Sequence, residues 1–98
     1  MREAFQQAEV IERIRQQLSS VIDPEIGRGI VEMGLIYLIE AGLAGDVHIM
    51  MTTTTKGCPA SAFLADAVRA CAGSVIGVTN VDVELTYDPP WNPSMMAP

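Results

Sequence analysis

The chain has 98 residues, with 12 acidic side chains, 6 basic ones and a single histidine, for a formal net charge of −6. That length holds one domain of ordinary size, and a hydrophobic share of 49% against a charged share of 18% excludes a disordered chain. The few Arg and the one Lys are scattered and make no basic stripe for nucleic acid or for an anionic membrane surface. The longest uncharged stretch, Ala70 to Val81, falls well short of the ~20 apolar residues that a spanning helix needs. Met1-Arg2-Glu3-Ala4-Phe5 shows no apolar h-region and no signal-type cleavage site. A cytoplasmic protein is expected, with Cys58 and Cys71 as reduced thiols.

Ile11, Ile14, Leu18 and Val21 recur at helical spacing, with Ile22 beside them and Gln, Glu and Arg on the other face. The spacing predicts a helix from about Ala4 to Ser20. Pro24 disfavours a helical Asp23, so this helix ends at or before Ile22. Asp23-Pro24-Glu25-Ile26-Gly27 reads as a single tight turn, with Asp23 as an Asx cap and Pro24 at a first helical position. Ile30 to Glu40, punctuated by Gly34, reads as a strand best defined from Leu35 to Ile39. Gly42 and Gly45 bracket a turn. A second strand follows from Asp46 to about Thr53, where Val47, Ile49 and Met51 alternate with Asp46, His48 and Met50. The two strands form a hairpin.

A second helix is expected over Pro59 to Ala72, with Ala60, Phe63, Leu64, Ala67, Val68 and Cys71 on one apolar stripe and Gly73 ending it. The last strand, roughly Val81 to Tyr87, alternates most cleanly: Val81, Val83, Leu85 and Tyr87 face one way, Asp82, Glu84, Thr86 and Asp88 the other. Residues 89–98, rich in Pro and Met, read as an irregular tail of a single domain spanning 1–98. The order helix, strand, strand, helix, strand predicts an α+β two-layer sandwich, a small mixed three-stranded sheet with two helices on one face.

Cys58 carries the most chemistry. Pro59 at the first helical position would make Cys58 the N-cap, where unpaired amides and the positive end of the helix dipole favour a thiolate. Lys56 adds positive charge, and Gly57 lets the backbone approach a ligand. A thiolate is both a nucleophile and a soft-metal ligand; the simpler account is a small buried residue that starts a helix. Cys71 lies on the apolar stripe and reads as core. A helix at ~1.5 Å per residue puts it roughly 20 Å from Cys58, beyond disulfide reach. His48 stands several residues up its strand from Thr53, so a Cys–His pair within one chain is not expected, which weakens a protease or acyl-transfer reading.

Asp23 and Glu25 read first as a cap and a dipole partner. If their turn folds back toward Cys58, two carboxylates would raise the thiol pKa unless a cation sat among them, a repulsion that a metal ion resolves. β-propensity explains the run Thr52 to Thr55, but Thr54 and Thr55 lie past the clear alternation and can offer hydroxyls to a ligand. Trp91, Met95 and Met96 form either a strap packed over the sheet or a sticky surface for a partner or a second copy.

Three stretches together carry a resemblance. They are Asp23-Pro24-Glu25-Ile26-Gly27 followed by Ile30 to Tyr37, then Thr52 to Pro59 ending Gly-Cys-Pro, and Asp88-Pro89-Pro90-Trp91-Asn92-Pro93 with Met95-Met96. From about residue 10 to residue 96 the chain resembles the metal–sulfur cluster assembly family (MIP-eighteen type) that includes SufT and the phenylacetate-pathway protein PaaD. The resemblance implies a fold like the C-terminal domain of NifU-type scaffold proteins. It implies a non-enzymatic role in iron–sulfur protein maturation, as a transient carrier of a cluster or of iron through Cys58, or as an adaptor to recipient apoproteins. The family site maps onto Asp23, Glu25, Ile26, Thr54, Thr55 and Cys58.

The partners so implied are iron–sulfur assembly proteins and recipient apoproteins, and an uncovered sheet edge with an apolar tail adds a homodimer. Lys56 departs from the small residue or proline of many relatives. The chain also lacks the additional C-terminal cysteines that PaaD-like proteins carry, which favours a stand-alone SufT-like factor. The alternative is an interaction module for maturation of an oxygenase such as the phenylacetyl-CoA system, with no metal binding of its own. A common cluster takes four ligands, usually thiolates. One Cys58 per chain therefore needs a second copy, Asp23 or Glu25, an external thiol or a partner to complete the set. A thiol carrier of persulfide or acyl groups is a third reading, weakened by the missing nearby histidine.

Overall fold

The computed structural model describes residues 2–57 and 59–97, with side chains from residue 7 onward; the expectations that fall on Cys58 lie outside the described residues. The first helix, α1 (Arg2–Leu18), closes where the Ser19 and Ser20 hydroxyls donate to the carbonyls of Arg15 and Gln17. Two very short strands follow that the sequence did not suggest, β1 (Ile22–Asp23) and β2 (Arg28–Gly29), paired antiparallel as Ile22↔Gly29 and Asp23↔Arg28. Two residues are too few to show a period of two, so nothing local announces them.

The expected strand before the hairpin is β3 (Ile36–Ala41), shorter at its start than the apolar run. Residues 30–34 instead turn, with the Met33 and Gly34 amides donating to the carbonyls of Gly29 and Val31. Gly34 adopts φ +79°, which a strand cannot contain. β3 pairs antiparallel with β4 (Asp46–Met51), from Ala41↔Val47 to Ile36↔Met51, with a register shift between Ile36 and Leu38. The last strand, β5 (Asn80–Leu85), pairs parallel with β4 in unbroken register from Asp46↔Asn80 to Met51↔Leu85. The sheet is therefore mixed, in the order β3-β4-β5. A parallel pair needs a long crossover, and α2 (Ser61–Gly73) lies in that connection.

Both helices cover one face. Ile14 and Leu18 of α1, Leu64, Val68 and Ala72 of α2, and Ile39, Val47, Ile49 and Met51 of the sheet form one buried cluster. Burial of each large side chain there contributes about 1.5–3 kcal/mol. The α2 stripe is narrower than expected. Phe63 is 59% exposed, because the contact runs along 64, 68 and 72 and places residue 63 beside it, facing water. Cys71 is half-buried and packs against the core, as its stripe position implied.

The proline-rich tail is a strap. Trp91 Nε1 donates to the Met33 carbonyl at 2.6 Å, Tyr37 Oη to the Pro89 carbonyl at 2.8 Å and the Ala97 amide to the Glu32 carbonyl at 2.8 Å. Trp91 and Met96 pack against the core. The segment is not wholly irregular: a 3-10 turn, η1 (Pro93–Met95), has Asn92 as its cap, accepting from the Ser94 amide. Proline at such a start removes only an amide that would go unpaired. A Cβ on Gly34 would fall far inside contact distance of the Met95 carbonyl oxygen and 3.2 Å from the Met95 Cβ, so only glycine lets the strap settle there.

Candidate functional site

Because β4 and β5 are parallel, the loop from Thr52 to Ala60 leaves the carboxyl end of β4 and enters α2. In sheets with parallel strands, ligands gather outside the carboxyl ends of the strands. The loop starts as a continuation of the sheet. The Thr52 amide donates to the Leu35 carbonyl at 2.9 Å, and the Thr86 amide donates to the Met51 carbonyl at 2.8 Å. Thr52 and Thr53 are buried.

The Thr53 hydroxyl donates to the Thr55 carbonyl at 2.8 Å and lies 2.8 Å from the Tyr87 hydroxyl. A hydroxyl has one proton. Thr53 spends its proton on Thr55, so Tyr87 is the donor in the second bond. This two-bond relay fixes the loop to the segment that follows β5. Sequence reasoning gave neither residue a role at the site. The only signal was the position of Tyr87 just past an alternating strand and of Thr53 at the head of the threonine run.

Thr54 is half-buried, and Thr55, Lys56 and Gly57 are exposed. Gly57 has φ +79° with no atom within 4 Å of where a Cβ would sit, so its backbone conformation, not crowding by the protein, calls for glycine there. The helix begins later than expected. Among the described residues its first bond runs from the Leu64 amide to the Ala60 carbonyl at 2.9 Å, and Ala60 is the N-cap with no side-chain cap bond of its own. Pro59 and Ala60 belong to the preceding turn. The boundary of α2 therefore lies at Ala60, past the expected one, and the part of Cys58 at the helix start lies outside the described residues.

The Asp23 turn is built as its sequence suggested. Asp23 is 1% exposed, its Oδ1 accepts from the Glu25 amide at 2.8 Å, and its carbonyl accepts from the Gly27 amide at 2.7 Å. Pro24, Glu25 and Ile26 project outward, with Ile26 49% exposed. Three backbone bonds connect this region to the loop: Ile30 amide to Val21 carbonyl, Leu35 amide to Ile30 carbonyl, and Thr52 amide to Leu35 carbonyl. Among the described residues no hydrogen bond joins Asp23–Ile26 directly to Thr54 or Thr55. The structure thus brings Asp23 to Glu25, and Thr55 to Thr53, and links the two groups through backbone.

His48 stands apart from the loop, as its strand position implied. On the uncovered sheet face its Nδ1 is 2.9 Å from Asp82 Oδ2 and its Nε2 is 3.4 Å from Glu84 Oε1. Among the described residues no group of three His, Cys, Asp or Glu side chains is placed to hold a metal ion. No helix among them is long and apolar enough to cross a membrane.

The model of a family described as iron–sulfur cluster assembly protein matches residues 11–84. A Porphyromonas gingivalis protein named Fe-S protein maturation auxiliary factor is 41% identical over 97 residues, which cover 99% of this chain and 90% of that one. The Staphylococcus aureus Fe-S protein maturation auxiliary factor SufT is 34% identical over 77 residues, 79% of this chain and 88% of that one. The crystal structure of a domain of unknown function, DUF59, from Bacillus anthracis matches with a TM-score of 0.91 at 32% identity. It covers 96% of this chain and 90% of that one.

Proposed function

Given that the chain belongs to the iron–sulfur cluster assembly protein family, we propose that it is a SufT-like factor for the maturation of iron–sulfur proteins, working in the cytoplasm without catalytic turnover. The observation that carries this is a kinship with Fe-S maturation auxiliary factors that runs along nearly the whole chain. Iron, or an iron–sulfur cluster, is the cargo. Cys58 is its ligand from this chain: the thiol loses its proton and the thiolate sulfur bonds iron. Thr54 and Thr55 offer hydroxyls on the same loop, and the exposed Glu25 offers a carboxylate. The Asp23 carboxylate accepts the amide of its own turn, so its part is to shape the turn that presents Glu25 and Ile26.

The ligand count sets the mode of action. The sequence has two cysteines, and Cys71 is half-buried on α2, which leaves one thiolate per chain for a cargo that takes four ligands. Holding is therefore transient and completed by an assembly protein, a recipient apoprotein, a second copy or a small thiol. The same count supports a second reading, in which the chain is an adaptor that brings recipient and assembly proteins together and binds no metal. Anaerobic reconstitution with iron and sulfide separates the two. A cluster absorption band in the wild type that is lost in Cys58→Ser supports the carrier. Equal maturation of a recipient enzyme by wild type and Cys58→Ser would overturn a ligand role for Cys58 and leave the adaptor.

A further inference from the structure

The face of the sheet that the helices do not cover carries, beyond the Asp46–Asn80 pair at its edge, two rows of three side chains set by the strand register. Glu40, His48 and Asp82 form one row, and Leu38, Met50 and Glu84 the other. The apolar end of this face opens into a groove of about 510 Å³ whose walls include Tyr37, Leu38, Met50, Asp88, Pro89 and Met95. A sheet face left to water is ordinarily polar throughout. Here Leu38 is 39% exposed and Met50 half-buried, beside a concave apolar surface. Carboxylates stand on both sides of it, Asp88 in the wall and Glu84 next to Met50 across the β4–β5 register. Neither row contains Lys or Arg, and His48 already meets two of the acids.

From this arrangement we infer that the open sheet face is a docking surface for a protein segment bearing a long apolar side chain flanked by Lys or Arg. The apolar side chain fills the groove between Leu38, Met50 and Met95, and the cations meet Glu84, Asp88 and Glu40. Charge selects this occupant over the others. A second copy laid on this face about a two-fold axis would set acid against acid. Nucleic acid and anionic lipid carry the wrong sign. The inference concerns recruitment of a partner and stands apart from cargo binding at Cys58.

The test uses the full chain with 13C-methyl methionine, without iron or sulfide, so that its outcome is independent of the carrier reading. The probe is a capped heptapeptide with a central leucine and three lysines on each side. Saturable shifts of the Met50 and Met95 methyls are expected, with none at Met33, which is fully buried in the core. Replacing the central leucine by glycine should weaken binding at least fivefold. Glu84→Lys should do the same, while Glu12→Lys, an equal charge change on the exposed face of α1, should alter it less than twofold. Equal binding of the leucine and glycine peptides would overturn the inference, as would equal losses in Glu84→Lys and Glu12→Lys, or no shift at Met50 and Met95.

Discussion

Gly34 and Gly27 share the same left-handed backbone, φ +79° at each, but only Gly34 lies under another part of the chain. Alanine at either position carries the strain of a Cβ in that region, about 1–2 kcal/mol. At Gly27 nothing lies within 4 Å of the new methyl, so Gly27→Ala should lose that strain energy and no more. At Gly34 the methyl collides with the backbone of Met95, and backbone cannot yield by a rotamer change. The strap must lift, and three hydrogen bonds go with it, Trp91 to Met33, Tyr37 to Pro89 and Ala97 to Glu32. At about 0.5–1.5 kcal/mol each, the loss amounts to roughly 3 kcal/mol beyond that of Gly27→Ala, before any loss of Trp91 and Met96 packing. Urea unfolding measures the two variants side by side. Trp91 is the chain's single tryptophan, so its emission before unfolding reports the strap directly and should shift to the red in Gly34→Ala alone. If the two variants agree within about 0.5 kcal/mol and keep the wild-type emission, the strap does not depend on Gly34 and the reasoning fails.

The Thr53 relay predicts coupling. Thr53→Val and Tyr87→Phe should each cost about 1–2 kcal/mol, and the double variant clearly less than their sum, as a denaturation cycle would show; full additivity would mean that the hydroxyls do not act together. At Asp23 the two substitutions should part company. Asparagine keeps an oxygen for the Glu25 amide and should lose under about 1 kcal/mol, while alanine leaves that amide unpaired at a cost of about 1–2 kcal/mol. If Asp23→Asn also retains iron incorporation at the wild-type level, the carboxylate charge has no part in holding the cargo. Ile49→Ala, at the centre of the middle strand and fully buried, should cost about 2–5 kcal/mol in thermal or urea unfolding, and a loss under 1 kcal/mol would contradict the placement of the core.

What the sequence determined by itself is what reaches only a few residues along the chain. The spacing of Ile11, Ile14 and Leu18 reports a helix with one apolar side. The alternation in Asp46–Met51 reports a strand with one buried face, and that in Asn80–Leu85 a strand whose inward side is half-buried at Val81 and Val83. The Asp23 turn is also local, since its side-chain bond spans two residues. The tertiary structure decided what depends on where the chain returns. Parallel pairing of β4 with β5 needs the α2 crossover, and neither strand's pattern states its direction. The Thr53–Tyr87 bond joins residues 34 apart, and the Trp91–Met33 bond residues 58 apart, separations over which side-chain periodicity carries no information. The start of α2 at Ser61 was decided there too. A helix begins where a carbonyl first finds its amide four residues on, and Pro59 permits that start without requiring it.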